Sequence, residues 1–391
     1  MIERLNIAEW VVLGTLCLCA LFQLYWYIRY LCAPIRAMRG KRIASQAGEE
    51  ADFPPVSVLV SARNAGTDLE TYLSALLAQD YPVFEVIVVD DGSEDNTREV
   101  IERYLTQDTR LHMTFVPRDA RVRSTKKLAL TLAAKAAQYD LLLLTDADCV
   151  PESTHWIAEM VSAFQSPIPD HLSPINIVLG FGAYFYRPGF VNRLVRYDTL
   201  FNGLHYLGAA LCGKPYMGVG RNLAYRKELF FNSGGFSHLM TNRAGDDDLF
   251  VNQVATPSNT AVVVSADSYT WSPAKRTFRQ WWLQKRRHLS VSPSYRPETK
   301  RRLVIEPLTR GLFYAAVLAA AIIALCSWYL LPLYLALALF FLRWIMQTVV
   351  INLSAHKMNQ HGFNPLTILG LDIFLPLVNL WMLAVPRKVN W

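Results

Sequence analysis

The sequence predicts a doubly wound α/β sheet held between apolar segments long enough to sit in lipid. Three observations carry this. Strand-like apolar runs alternate with helical periodicity between residues 54 and 300, hydrophobic stretches near bilayer length flank that region, and acidic or polar clusters stand just past successive strand candidates. The 391 residues are 52% hydrophobic with a mean hydropathy of +0.17, above the usual range of soluble globular chains.

The first element, residues 10–28 (WVVLGTLCLCALFQLYWYI), ends in aromatics followed by arginines. The N-terminus lacks a positive n-region and a small-residue cleavage site, so residues 1–35 are expected to stay as an anchor with the following chain in the cytosol. Residues 311–331, 333–353 and 366–385 are further apolar runs, forming a C-terminal membrane region over 311–391. Pro332 alone separates the first two and suggests a tight hairpin. Arg343 lies inside the second, where a lipid-facing charge is costly, and should face protein or water. The run 366–385 carries Asp372 and Pro376 and precedes Arg387 and Lys388; it either spans or is re-entrant or interfacial. The net charge is +7, and Arg29, Arg36, Arg39, Lys41, Arg42, Lys300, Arg301, Arg302 and Arg310 collect beside apolar runs. That placement points to membrane lipids at a cytoplasmic face and away from nucleic acid. Of six cysteines none forms a C-x-x-C pair, which fits a reducing compartment.

Between the anchors, VSVLVSA (56–62) reads as a buried strand. Thr67 and Glu70 form a capping box opening a helix with Leu69, Leu73, Leu76 and Leu77 on one face. EVIVVD (85–90) is the second strand, Val100, Ile101, Tyr104 and Leu105 mark a helix, LHMTFV is the third strand, 125–138 a helix, and LLLL (141–144) the fourth strand. Strands separated by such helical segments imply parallel pairing with right-handed crossovers.

In doubly wound sheets ligands bind beyond the carboxyl ends of the strands. There the sequence places Ala62-Arg63-Asn64, Asp90-Asp91-Gly92-Ser93 and Asp146-Ala147-Asp148. Clustered carboxylates repel unless a cation sits among them, and hard divalent ions such as Mg²⁺ or Mn²⁺ take oxygen ligands while leaving positions for phosphate. A lone D-x-D is common in loops. Two acidic pairs at the ends of buried strands point to a metal bound to a diphosphate.

The ordered motifs SVLVSARN, VIVVDDGSEDNT, LTDADC, GVGRNLAYRKELF, GDDDLF and QKRRH resemble, over residues 54–292, the inverting family 2 glycosyltransferases of the GT-A fold, especially membrane-anchored synthase-like members. The resemblance implies a GT-A (Rossmann-like) doubly wound mixed sheet with N- and C-terminal transmembrane helices, in a bacterial inner membrane, with a cytosolic catalytic domain over 54–300. It implies a UDP-linked sugar donor, a divalent cation, and a lipid-linked or glycan acceptor. By position, Ala62 and Arg63 would line the base pocket. Asp91 would contact the uracil or ribose, with Asp90 supporting and Gly92 and Ser93 permitting a sharp turn. Lys126 matches a basic residue near the nucleotide, against the plainer reading of a solvated lysine at a helix start. Asp146 would approach the sugar or ribose and Asp148 would ligate the metal, with Cys149 a packing residue.

In YMGVGRNLAYRK, Gly218 and Gly220 would allow close backbone approach in the donor-sugar pocket and Asn222 would offer an amide to a hydroxyl. The acceptor's base falls on Asp246 if Leu249 is aligned with the family's leucine, or on Asp247 if the acidic pair is aligned; helix capping is the competing role. RQWWLQKRRHL resembles the Q-x-x-R-W motif of processive synthases. Gln284 and Arg287 match, and with Arg286 would steady the leaving diphosphate. Helix 277–292 would also lie at the membrane interface with Trp281, Trp282 and Leu283 dipping in. His288 stands where the motif has tryptophan, which favours single addition over polymer synthesis. Competing readings are a processive synthase, a nucleotidyltransferase and an inactive scaffold. His155, His171 and His205 show no ligand spacing and read as polar surface or core groups.

Overall fold

A computed structural model describes residues 7–44, 53–117, 122, 124–165, 174–240, 244–327 and 330–384. The chain forms two compact units, Pro34–Tyr295 and a second made of Met1–Ala33 with Arg296–Trp391.

Strands β1 (Val56–Ala62), β2 (Phe84–Asp90), β3 (Leu111–Phe115) and β4 (Leu141–Asp146) pair in parallel in the order β3-β2-β1-β4. Then β8 (Leu223–Arg226) joins β4 antiparallel, followed by β6 (Ile177–Leu179) and β9 (Thr260–Val262), so the sheet is mixed. A second small sheet orders β5 (Val150–Pro151), β10 (Thr270–Ser272) and β7 (Gly182–Tyr184). β1 and β2 are buried on both faces, which explains their unbroken apolar runs.

The helix predicted from Thr67 spans Gly66–Leu77, and its N-cap is Ala65 with no side-chain cap of its own. The capping box therefore does not form. Asp95, in the loop after β2, accepts from the Gly66 N–H at 3.1 Å, and Thr97 Oγ1 accepts from the Ala65 N–H at 2.8 Å. A helix terminus whose donors are met by another loop needs no local cap.

The second unit holds the helices Ile7–Trp26, Pro297–Ser327, Leu331–Lys357 and Pro365–Ala384. All four lie in stretches long and apolar enough to cross a membrane. The stretch from 366 is one continuous helix, and its Asp372 is buried at 1% exposure. Arg343, also 1% exposed, faces protein: it pairs with Asp372 at 2.9 Å and Arg310 does so at 2.8 Å. Tyr314 and Gln347 also donate to the Asp372 carboxylate. Arg387 and Lys388 lie outside the described residues.

Candidate active site

The loops at the carboxyl edge of β1 and β2 are stitched together. Asp90 Oδ1 accepts from the Ser93 N–H at 2.9 Å, and Ser93 Oγ accepts from the Asn64 N–H at 3.0 Å. Gly92 sits at φ +66°, a left-handed backbone that favours glycine. Asp91, 5% exposed, receives the Thr125 hydroxyl on Oδ2 at 2.7 Å, and Thr125 Oγ1 accepts from Arg63 Nη1 at 3.2 Å. Burial pushes the Asp91 carboxyl up while the Thr125 bond and the Arg63 charge draw it down. Its Oδ1 is buried with no hydrogen-bond partner among the described residues. Such an acceptor is costly to leave bare and fits a donor group on a bound ligand. Ala62, by contrast, is fully buried and its carbonyl accepts from the Asp91 N–H, so it supports the pocket instead of lining it.

At the end of β4, the ligand atoms of Asp146, Asp148 and Cys149 lie within 4.8 Å of one another. Cys149 is buried and its thiol is pushed well up by burial and then by the Asp146 and Asp148 charges, so it stays a neutral packing group. The two carboxylates remain as hard oxygen donors, a set that suits Mg²⁺ or Mn²⁺ with positions left for other oxygens. Removal from water and the neighbouring Asp146 charge also raise the Asp148 carboxyl, a repulsion that a cation would relieve.

Lys126, from the helix Thr125–Ala136, reaches Asp146 Oδ1 at 2.8 Å and Asp246 Oδ2 at 3.3 Å. Desolvation opposes its charge, but Asp146, Asp246 and Asp247 hold its pKa well above the ordinary value. Asp246 is likewise desolvated, yet Lys126 holds its carboxyl below the usual range. It is therefore ionised at neutral pH. Asp247 is otherwise engaged: it is the N-cap of the helix Asp248–Val254, with Oδ1 accepting from the Asp248 N–H and Oδ2 from the Gly220 N–H at 2.5 Å. Capping, the competing role at this motif, is what Asp247 does.

Two further expectations are corrected here. Asn222 is fully buried, accepting from the Trp156 indole at 3.0 Å and donating to the Phe181 and Ser268 carbonyls at 3.0 and 2.7 Å. Its amide has nothing left for a substrate hydroxyl. Gly218 and Gly220 admit protein and not ligand: a Cβ at Gly218 would meet Leu223 at 3.0 Å, and one at Gly220 would meet Asp247 Oδ2 at 3.3 Å.

The helix Phe278–Leu289 opens on a capping box, Thr277 with Gln280. It is fastened by a buried ion pair, Lys285 Nζ to Asp198 at 2.6 and 2.9 Å, and by Gln284 donating to the Tyr184 hydroxyl at 3.0 Å. Trp281 is buried in protein at 2% exposure, so it does not dip into lipid. Arg287 and His288 are exposed, and His288 lies within electrostatic range of Arg221 and Asp246. Asp198→Ala should cost about 3–5 kcal/mol by stranding the Lys285 charge, read as a lowered denaturation midpoint.

Sequence reasoning missed three residues. Thr125 joins Arg63 to Asp91. Lys127 is fully buried and donates to the Leu239 and Ala244 carbonyls at 2.9 and 2.8 Å, holding the segment before Asp246. Its helical spacing with Leu130 and Ala134 could have marked it as inward-facing. Arg221 lies between Gly220 and Asn222 in the motif YMGVGRNLAYRK.

Asp248 accepts from the Tyr295 hydroxyl at 2.9 Å, and burial followed by the Asp247 charge pushes its carboxyl up to about 7. With the folded pKa above the unfolded one, its contribution to stability is complete below the ordinary carboxylate range and is lost as pH rises through about 7. Melting temperature should fall between pH 6 and pH 8.5 in the unaltered chain, and by less in Asp248→Asn.

Residues 57–230 match the family described as "Glycosyl transferase family 2". Among curated proteins, the chain is 34% identical over 95 residues to a poly-beta-1,6-N-acetyl-D-glucosamine synthase of Staphylococcus epidermidis, covering 24% of this chain and 22% of that one. It is 26% identical over 152 residues to glycosyltransferase AglE of Haloferax volcanii, covering 38% and 46%. The matches thus span less than half the length of these relatives. Among solved structures, mannosyltransferase PcManGT from Pyrobaculum calidifontis, in complex with GDP-Man and Mn²⁺, aligns with a TM-score of 0.53 at 20% identity over 94% of this chain and 99% of that one. That likeness is one of fold, and the fold is GT-A. The segment that matches glycosyl transferase family 2 is the one that carries Asp91, Lys126 and the D-x-D turn.

Proposed function

We propose that the chain is an inverting glycosyltransferase that moves a sugar from a nucleoside-diphosphate donor, UDP-linked, to a lipid-linked or membrane-proximal acceptor. One observation carries the reading: a single ammonium, Lys126 Nζ, touches both Asp146 of the D-x-D turn and Asp246 of the acidic motif. The donor-side and acceptor-side carboxylates are thereby held against one another.

In this reading Asp91 offers its free Oδ1 to the nucleoside and Arg63 covers the base. Asp148, with Asp146, would hold a divalent cation, which when bound would offset charge on the departing diphosphate. Asp246 takes the proton from the acceptor hydroxyl, and the resulting alkoxide attacks the anomeric carbon opposite the leaving group, so the configuration inverts. Arg287, with Arg286, steadies the diphosphate as it leaves, and Gln284 keeps their helix in place through Tyr184. The four apolar helices favour an acceptor that is itself held in the membrane.

Kinship with a polysaccharide synthase favours a second reading, repeated addition to one growing chain. Membranes containing the protein, incubated with labelled UDP- and GDP-sugars and Mg²⁺ or Mn²⁺, should transfer label from one donor to lipid extract as a product of a single added sugar. Long polymers would favour the second reading, and absence of transfer from every donor would sink the first.

A further inference from the structure

Arg221 stands in the loop between the Asp247 cap and the D-x-D turn, and its backbone and side chain are both pinned. Its carbonyl accepts from Thr145 Oγ1 at 3.1 Å and Thr270 Oγ1 at 2.9 Å. Its guanidinium lies over the Tyr184 ring, 4.2 Å from the centroid. Nη1 donates to the Ala183 carbonyl at 3.1 Å and to Ser272 Oγ at 2.8 Å, and Nη2 donates to the Gly182 carbonyl at 2.9 Å. A Cβ on Gly182 would come within 3.1 Å of the Arg221 Cβ, so the strand makes room for this side chain.

These contacts use three of the five N–H donors of a guanidinium. The Nε–H and the second Nη2–H, on neighbouring nitrogens, meet no acceptor among the described residues. Asp146 and Asp148 are near enough to act on Arg221 electrostatically, yet neither is within ion-pair distance of it. The cation is therefore not consumed by the carboxylates it stands beside. Two adjacent donors thus stay open on a side chain that cannot swing away, because three groups and an aromatic face fix it.

Resting on the functional reading above, we propose that Arg221 is a preset oxyanion receptor that grips the terminal phosphate of the donor's diphosphate. Two N–H groups on neighbouring nitrogens suit two oxygens of one phosphate. The need is electrostatic as well: a diphosphate brought to a rim that already bears Asp146, Asp148 and Asp246 meets like charge, and a fixed cation lessens it at no cost in reorganisation. The position also couples the two ends of the site, since Tyr184 supports Arg221 with its ring and receives Gln284 with its hydroxyl.

The test is nucleotide binding to the detergent-solubilised full chain with Mn²⁺, measured by calorimetry for UDP and GDP and for the corresponding monophosphates. For whichever base the unaltered chain binds, Arg221→Gln should weaken the diphosphate about 10- to 100-fold. Arg221→Lys, which keeps the charge and loses the fork, should weaken it by less, and monophosphate affinity should be unchanged in both variants. Undiminished diphosphate affinity in Arg221→Gln overturns the proposal, and so does an equal loss for mono- and diphosphate, which would mark Arg221 as structural. If the unaltered chain binds no nucleotide at all, the functional reading falls first and takes this one with it.

Discussion

Asp148→Asn should leave a folded chain whose sugar transfer is reduced by at least about 10²-fold, the scale of losing one well-placed electrostatic group at a reacting centre. The change removes one of only two hard carboxylates at the D-x-D turn and leaves the buried core around it untouched. Label transfer to lipid extract, measured beside the denaturation midpoint, separates the outcomes. A variant with full activity would refute the metal assignment, and one with a collapsed midpoint would show a structural part instead. Because the Asp148 carboxyl is raised, its charged form is lost as pH falls while Asp246 is still ionised. Below neutrality the acid limb of activity should therefore begin above the ordinary carboxylate range and flatten as cation concentration is raised.

Asp246→Asn should lower turnover by about 10²–10⁴, the usual span for removing a general base, with little change in nucleotide affinity. Asp247→Asn makes the contrast. It keeps one acceptor oxygen at the helix cap, so the loss should fall on stability, about 0.5–2 kcal/mol, more than on turnover. If the two variants exchange these signatures, the base is Asp247 and the alignment through the acidic pair is the right one. Lys126 sharpens the comparison: with Asp246 gone, its ammonium keeps only the Asp146 contact of the two it has.

Much of this was readable from sequence because the signals are local. Four parallel strands follow from their apolar runs, and the pile-up of Asp90, Asp91, Asp146 and Asp148 follows from where each run stops. Arg343, expected to face protein or water, does so against Asp372. What escaped depends on long-range partners. Nothing near Gly66 says that Asp95 will cap its helix, and nothing near Asn222 says that Trp156, Phe181 and Ser268 will take up its amide. Trp281 looks interfacial beside Trp282 and Leu283, until Lys285, one turn on, is seen to be held by Asp198, 87 positions away. Arg221 escaped for the same reason, because the acceptors that pin its guanidinium lie 38 to 51 positions away.

The charge pairing around Asp372 dictates an order of assembly. Arg310 and Arg343 precede it in the chain, so both cations are synthesised before the carboxylate that neutralises them, and Arg343 has no other acidic partner among the described residues. A nascent chain halted before the last helix would hold an unmatched guanidinium at membrane depth, a strong incentive for the insertion machinery to retain the early helices until the final one arrives. Truncation ahead of residue 365 should thus yield a product cleared by quality control, however sound its catalytic domain.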